Sequence, residues 1–405
     1  MKTSNFFVTK YRLIQKKYNK LKLRYIKGVG NSALDKSRLQ ELRLKLQKCE
    51  RQLNELGMVL GRAGKKGMLI GSLALGLTIS ACDSEDDVIT NLFPDKIDLE
   101  TLKLAATTGT ANPLDGIDIG FRSAPTFVDI DGDGDLDLFI GENSGNFNYY
   151  KNTGSSTSAT MTVQTGANNP FNGIDIGSNS RISFGDIDGD GDLDAITGSN
   201  GYVIEYYKNT GSSTAPAFTK QTSDHAFTGL SDNIGSYGDY NLHPVLVDID
   251  NDGDLDLLMA AQGYGDYDNN TSSYTYTQQI RYFKNTGSKA SPAFTEQTGS
   301  NNPASAITVN YETKIHFADL DRDGDLDLTV AYYASPYILK VFENTGSQAS
   351  PSFTELTSTN SPVSSISVPY DAVPTSADID GDGDLDFFLG QSNGTVMYFK
   401  NTTGE

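Results

Sequence analysis

The sequence predicts an all-β protein, a propeller of four-stranded blades, with a basic helical segment and an apolar segment ahead of it. Three observations carry this. A nine-residue aspartate-rich segment starts at Asp129 and recurs from Asp186, Asp248, Asp319 and Asp378, at intervals of 57, 62, 71 and 59 residues. A second marker, Lys-Asn-Thr-Gly, follows each copy at Lys151, Lys208 and Lys284, as Glu343-Asn-Thr-Gly, and as Lys400-Asn-Thr-Thr. Between the markers lie short alternating or apolar runs bounded by turn residues, such as Pro125–Asp129, Leu136–Gly141, Asn146–Lys151 and Ala217–Thr222. Such runs read as strands of about five residues, four to a repeat. Units of this size that bury their faces only against neighbours are propeller blades.

The chain divides by charge before it divides by structure. Its net charge is -20 over 405 residues, but residues 1–82 hold 18 Lys and Arg against 4 Asp and Glu. Residues 83–405 hold 14 against 48, a net of -34. That acidity argues against a nucleic-acid partner, which needs a basic face. Two cysteines exclude a disulfide framework.

Residues 1–57 form a basic, helical segment. Leu39, Leu42, Leu46, Cys49, Leu53, Leu56 and Leu60 repeat at three-four spacing. This stripe fits a short coiled coil or a single amphipathic helix. Residues 58–82 read as a signal peptide. Arg62, Lys65 and Lys66 precede the uncharged run Gly67–Ala81, which is short for a membrane span of about 20 residues and suits the core of an export signal. Ile79-Ser80-Ala81-Cys82 resembles a bacterial lipobox, which implies lipidation of Cys82, export, and anchoring in the cell envelope. A plain secretory signal, a short signal anchor and a buried core helix are the other readings. Met58 opens a complete signal by itself, so residues 1–57 are either an upstream extension or a cytoplasmic part. Residues 83–100 form an acidic linker, and residues 101–405 the repeat domain.

The loops carry the chemistry. Their aspartates stand on alternate positions: 129, 131, 133, 135 and 137 in the first, then Asp186, Asp188, Asp190, Asp192 and Asp194. The third has Asp248, Asp250, Asp252, Asp254 and Asp256, the fourth Asp319, Asp321, Asp323, Asp325 and Asp327, the fifth Asp378, Asp380, Asp382, Asp384 and Asp386. Five carboxylates in one turn repel each other unless a cation gathers them. A hard divalent ion wants six to eight oxygens, and calcium accepts irregular geometry more readily than magnesium. Positions one, three, five and nine (Asp129, Asp131, Asp133 and Asp137) offer carboxylates, and position seven (Asp135) its backbone carbonyl. The acidic residue that a 12-residue EF-hand needs at its end is absent, since those positions are Ile140, Thr197, Met259, Val330 and Leu389. Solvated turns without a ligand are the bland alternative, and five complete copies weigh against it. Only position four varies much, with Asn251 and Arg322 in place of glycine. Arg322 is expected to weaken the fourth site.

Asp-Ile-Asp-Gly-Asp-Gly-Asp-Leu-Asp between strands resembles the FG-GAP or VCBS-type repeat of integrin α-subunit heads and bacterial surface proteins. The resemblance covers about residues 101–405. It implies one structural calcium ion between two strands of each blade. Propellers of the integrin type have seven blades, whereas five loops are present here. The last blade stops after its third strand, and Thr101–Thr108 resembles an outer strand without a blade. These ends are expected to pair and close a five-bladed ring; a truncated longer array is the alternative.

No non-repeated catalytic pattern stands out. His243 and His316 precede loops and are expected to pack as neutral imidazoles. Insertions in blade three place Tyr237, Tyr240, Tyr264, Tyr267, Tyr274 and Tyr276 on polar loops, where tyrosines suit stacking on sugar rings or a protein contact. Tyr332, Tyr333 and Tyr337 in blade four resemble them. The expected function is a calcium-binding surface module that recognises glycan or protein, anchored to the membrane through Cys82. An envelope polysaccharide-degrading enzyme and a purely structural repeat are the alternatives.

Overall fold

A computed structural model describes residues 97–405, apart from 202–203, 224, 229, 231–239, 269–272, 348, 358–359 and 404–405. The expectations for residues 1–57, for the signal segment with Cys82 and for most of the linker lie outside the described residues. Contacts divide the chain into Met1–Asp95 and Lys96–Glu405, and the second unit is the repeat domain. Among the described residues no helix is long and apolar enough to cross a membrane.

The domain consists of five four-stranded antiparallel sheets. Blade one holds β2 (Ala124–Val128), β3 (Asp137–Gly141), β4 (Phe147–Asn152) and β5 (Met161–Gln164). Blade two holds β6 (Arg181–Gly185), β7 (Asp194–Gly198), β8 (Glu205–Asn209) and β9 (Phe218–Gln221). Blade three holds β10 (Tyr240–Val247), β11 (Asp256–Asp268), β12 (Ser273–Asn285) and β13 (Phe294–Gln297). Blade four holds β14 (Lys314–Ala318), β15 (Asp327–Tyr333), β16 (Tyr337–Asn344) and β17 (Phe353–Glu355). Blade five holds β18 (Val373–Ala377), β19 (Asp386–Gly390) and β20 (Val396–Asn401). Its fourth strand is β1 (Leu104–Thr107), with Leu104 opposite Asn401 and Thr107 opposite Tyr398. The first and last strands of the domain therefore share a sheet, as the complementary ends predict, and β20 is not left as an edge.

Burial follows position in the blade. The second strands of blades one, two and five are buried throughout, because both their faces meet neighbouring blades. Outer strands such as β5 and β9 are mostly exposed. Each core cluster spans one seam: Phe139, Phe147 and Tyr149 of blade one pack with Phe171, Ile182 and Tyr207 at blade two. A residue added at a seam has little room. A Cβ on Gly141 would lie 2.0 Å from the Ser180 carbonyl oxygen of the next blade.

The first strands β2, β6, β10, β14 and β18 contact one another in sequence, and β18 contacts β2, so they ring the axis. A side chain stitches each seam there. Thr126 Oγ1 donates to the Ile182 carbonyl at 3.0 Å, Leu246 N to Ser183 Oγ at 3.0 Å and Gln391 N to Ser123 Oγ at 2.9 Å. Ile315 N donates to His243 Nδ1 at 3.1 Å, and Ser376 N to His316 Nε2 at 3.0 Å. Both histidines thus accept from backbone, which requires a bare ring nitrogen. Burial holds His243 well below the usual imidazole range, with help from the charges of Arg181 and Lys314.

His316 makes the seam between blades four and five sensitive to acid. Burial lowers its pKa from 6.5 to about 4. The unfolded chain takes up the proton first, so this contribution is whole above pH 6.5 and is lost as pH falls through about 4. Relative to His316→Gln, which keeps an acceptor, the natural chain is expected to lose roughly 2 kcal/mol over that window, less than the full shift because the ring is partly exposed. Urea unfolding of both proteins at a series of pH values measures it; parallel curves would refute the assignment.

Candidate functional site

Each first strand ends at an aspartate loop and each second strand leaves it. The five loops therefore share one face of the ring, and the starts of the first strands share the other. The loops gather three carboxylates apiece: Asp129, Asp131 and Asp133, then the sets beginning at Asp186, Asp248, Asp319 and Asp378, each with ligand atoms within 4.8 Å of one another. Crowding shows in their protonation. Burial, then the charges of Asp133 and Asp131, hold Asp129 above its ordinary pKa, and Asp248 and Asp378 are raised similarly. The Oδ1 atoms of Asp129, Asp131, Asp186, Asp188, Asp250, Asp378 and Asp380 are buried with no hydrogen-bond partner among the described residues. Convergent, orphaned carboxylate oxygens with raised pKa values fit a hard cation.

Position seven contributes no carboxylate to these groups, and position nine turns elsewhere. Asp137 is buried, accepting from Tyr149 Oη at 2.9 Å and Asn152 N at 2.7 Å. Asp194 with Tyr206 and Asn209, Asp256 with Tyr282 and Asn285, and Asp386 with Tyr398 and Asn401 repeat this arrangement. Asp327 instead accepts from Asn344 N at 2.9 Å and Leu320 N at 3.1 Å, since Val341 stands where the tyrosine would be. The second marker now has a function. Its asparagine side chain holds the following turn, through Gly154 N at 3.0 Å and Thr160 N at 2.9 Å onto Asn152 Oδ1. Its lysine reaches the loop: Lys151 pairs with Asp131 and lies 3.2 Å from Asp133. Lys208, Lys284 and Lys400 reach their own loops in the same way.

The variable fourth position also has a structural reason. Gly132, Gly189 and Gly381 have φ of 69°, 76° and 71°. A Cβ there would meet the marker turn of the next blade, 3.1 Å from Ser213 O, 3.1 Å from Lys289 backbone and 2.5 Å from Ser156 O. No described turn of blade five covers the fourth loop, where Ile97 N instead donates to the Asp321 carbonyl at 2.6 Å. Arg322 occupies that place and ion-pairs with Asp384 of the fifth loop.

The opposite face holds a constellation that the sequence reading passed over. Arg122, Asn179, Asn241, Glu312 and Asp371 occupy one repeat position, at or just ahead of the starts of the first strands, and all have positive φ, between 55° and 61°. Non-glycine residues rarely adopt this conformation, and such outliers concentrate at functional sites. Two residues on stand Ala124, Arg181, His243, Lys314 and Val373. These two rings converge on the axis, where the space left between Arg122, Asn179, Arg181, Glu312, Lys314 and Asp371 is about that of one water molecule. Arg181 donates to Asn241 Oδ1 at 2.9 Å and the Leu242 carbonyl at 3.2 Å, and Arg122 Nε lies 3.0 Å from Asp371 Oδ2. Tyr337 Oη donates to Glu312 and, at 3.0 Å, to Asp371. Burial brings Lys314 down to about 7 and Arg181 to about 10. Burial and the hydrogen bond to Glu312 raise Asp371. Burial also pushes Glu312 upward, but Lys314 and its hydrogen bonds outweigh it and hold that carboxyl low.

An aromatic rim surrounds this cluster. One residue before the strained ring stand Phe121, Ser178, Tyr240, Tyr311 and Tyr370. Phe121, Tyr311 and Tyr370 are 49%, 38% and 56% exposed, three of the four large exposed apolar residues among those described. Tyr333 and Tyr337, at the turn between β15 and β16, join them: ring centroids lie 6.2 Å apart for Tyr311–Tyr333, 6.1 Å for Tyr333–Tyr370 and 4.9 Å for Tyr337–Tyr370. Arg122 sits 5.6 Å from the Phe121 ring centroid.

Five of the blade-three tyrosines, Tyr240, Tyr264, Tyr267, Tyr274 and Tyr276, lie on strands and not on loops as expected. β11 and β12 continue as a long hairpin, with Tyr264 opposite Tyr276 and Tyr267 opposite Tyr274, while Tyr240 pairs with Gln262. Alternation at Tyr274 and Tyr276 is the period-two pattern of a strand, which the surrounding Gly, Asn and Ser residues disguised. Tyr237 lies outside the described residues, as do the side chains of the other five. The hairpin leaves blade three on the rim face, because second strands run away from the loops.

The FG-GAP-like repeat family model matches residues 129–197 and 319–389. No curated protein sequence matches the chain. Eighteen chains of solved structures match. One is an Agrocybe aegerita lectin described as recognising non-reducing terminal N-acetylglucosamine, 16% identical, covering 70% of this chain and 81% of that one with a TM-score of 0.35. Another is AofleA from Arthrobotrys oligospora, as a mutant with three arginines changed to alanine, 13% identical, covering 69% and 72% with a TM-score of 0.37. With an aspartate loop in every blade and a last sheet completed by the first strand, residues 104–401 form a five-bladed β-propeller that carries FG-GAP-like repeats.

Proposed function

We propose that this propeller is a calcium-loaded binding module that captures a glycan or protein on its rim face, displayed at the cell envelope through lipid on Cys82. One observation carries the binding assignment: three exposed aromatic residues fall at a single repeat position around an axis whose residues differ from blade to blade. Repetition is what stability asks of a propeller; departure from it at one position and one face is what recognition asks. The loops on the far face then serve the scaffold. Three carboxylates per loop would hold each ion, and its charge would relieve their repulsion.

Catalysis fits less well. Glu312 and Asp371 face each other beside a lysine of lowered pKa, but both are buried and share a hydrogen bond. Glycosidic carboxyl pairs stand about 5 Å or more apart with substrate between them.

Calcium removal tests the first part. A ligand held only by the folded state stabilises it, by about 2.7 kcal/mol per site at a hundredfold excess over Kd. Chelation is expected to lower the melting midpoint by roughly 10 °C or more, and Ca²⁺ to restore it. An unchanged midpoint refutes structural calcium. For the rim, Tyr370→Ser and Tyr311→Ser adopt the residue that blade two carries at Ser178. On glycan and surface-protein arrays both are expected to lose at least tenfold in signal, while Val163→Ser on an outer strand leaves it intact. Rim variants that bind as the natural chain does would overturn the assignment. For the anchor, metabolic labelling with a radioactive fatty acid is expected to mark the natural chain and not Cys82→Ser. Equal labelling of the two removes the lipid from the proposal.

A further inference from the structure

The charge at the rim face narrows the ligand class, given the binding reading above. From residue 83 onward the chain carries 14 basic residues against 48 acidic ones. Seven of the 14 are ion-paired within their own blade, four of them to their own aspartate loops, and Lys289, Arg322 and Arg122 pair across seams, Arg122 with Asp371. Arg122 converges on the axis with Arg181 and Lys314. The two acids facing them, Glu312 and Asp371, are joined to each other by a hydrogen bond. The axis therefore holds basic groups in slight excess over acids within a strongly negative domain.

This centre has unspent capacity. Arg181 is 5% exposed and its Nε has no hydrogen-bond partner among the described residues. Asn179, also 5% exposed, leaves its Oδ1 unmatched. Arg122 is the member that reaches the surface, with 26% of its side chain exposed beside Phe121. It holds its place at the cost of a left-handed backbone, φ 55°, that asparagine fills more readily in blades two and three. A planar guanidinium beside tyrosine and phenylalanine faces combines a carboxylate clamp with a platform for an apolar ring face. Long polyanions are disfavoured by the negative surface around it.

We infer that the rim takes a short saccharide carrying one carboxylate, its pyranose ring on the Tyr311–Tyr333–Tyr370 platform and its carboxylate on the Arg122 guanidinium. Calorimetric titration of the full chain in calcium buffer with methyl glucuronide, methyl glucoside and benzoate tests this. The glucuronide is expected to bind at least tenfold more tightly than either comparison ligand. Arg122→Asn, which matches the residue at this place in blades two and three, is expected to erase that preference. Tyr370→Ser is expected to weaken both sugars. Equal binding of the glucoside would overturn the carboxylate assignment while leaving rim binding intact. Equal binding of benzoate would overturn the sugar. If no ligand binds, the inference fails; the binding reading fails with it only if the rim variants also leave array binding unchanged.

Discussion

The pairing of β1 with β20 is the interaction on which the rest depends. Four blades and three strands would leave Val396–Asn401 as an exposed edge, a row of unpaired backbone groups. Borrowing Leu104–Thr107 covers that edge and returns the chain to its starting point. Only then do β18 and β2 meet, and only then does an axis exist around which five unlike residues converge. Both faces inherit their roles from this closure. The loops become a ring of aspartate clusters on one face, and the strand starts become one shared mouth.

Most of the scaffold is legible in the sequence because repetition amplifies weak signals. One acidic turn says little, but five turns in register with five markers define blades and seams. The borrowed strand is legible too, since the two ends lack complementary pieces. What repetition teaches, it also conceals. The five aspartates of each loop look alike, yet at position nine all accept from the backbone of the marker asparagine and four of the five also from a tyrosine. A clue existed in the constant twelve-residue separation of Asp137 from Tyr149, Asp194 from Tyr206 and Asp386 from Tyr398.

The axial cluster is harder to see for the opposite reason. Its members share a column, not a residue type, so a search for motifs passes over them. Arg122, Glu312 and Asp371 read as ordinary surface charges until the ring brings blades four, five and one side by side. Left-handed backbone is the physical trace of that column, and Asn179 and Asn241 are its only hint in the sequence. The blade-three tyrosines show a further limit. Their strand character lies in pairing across a hairpin, which local composition obscured.

The differing covers of the loops also make the seams unequal. Three loops are roofed by the marker turn of the next blade, through packing and shape and, at the second loop, also through a Lys289–Asp186 ion pair. At the fourth loop Arg322 crosses to Asp384 instead, so charge takes over there from shape. Ionic strength screens a partly exposed ion pair and leaves tight packing almost untouched. Salt therefore acts on this ring unevenly. It loosens the seams that charge helps to close, between blades two and three through Lys289 and Asp186 and between blades four and five through Arg322 and Asp384, more than the seams closed by packing alone.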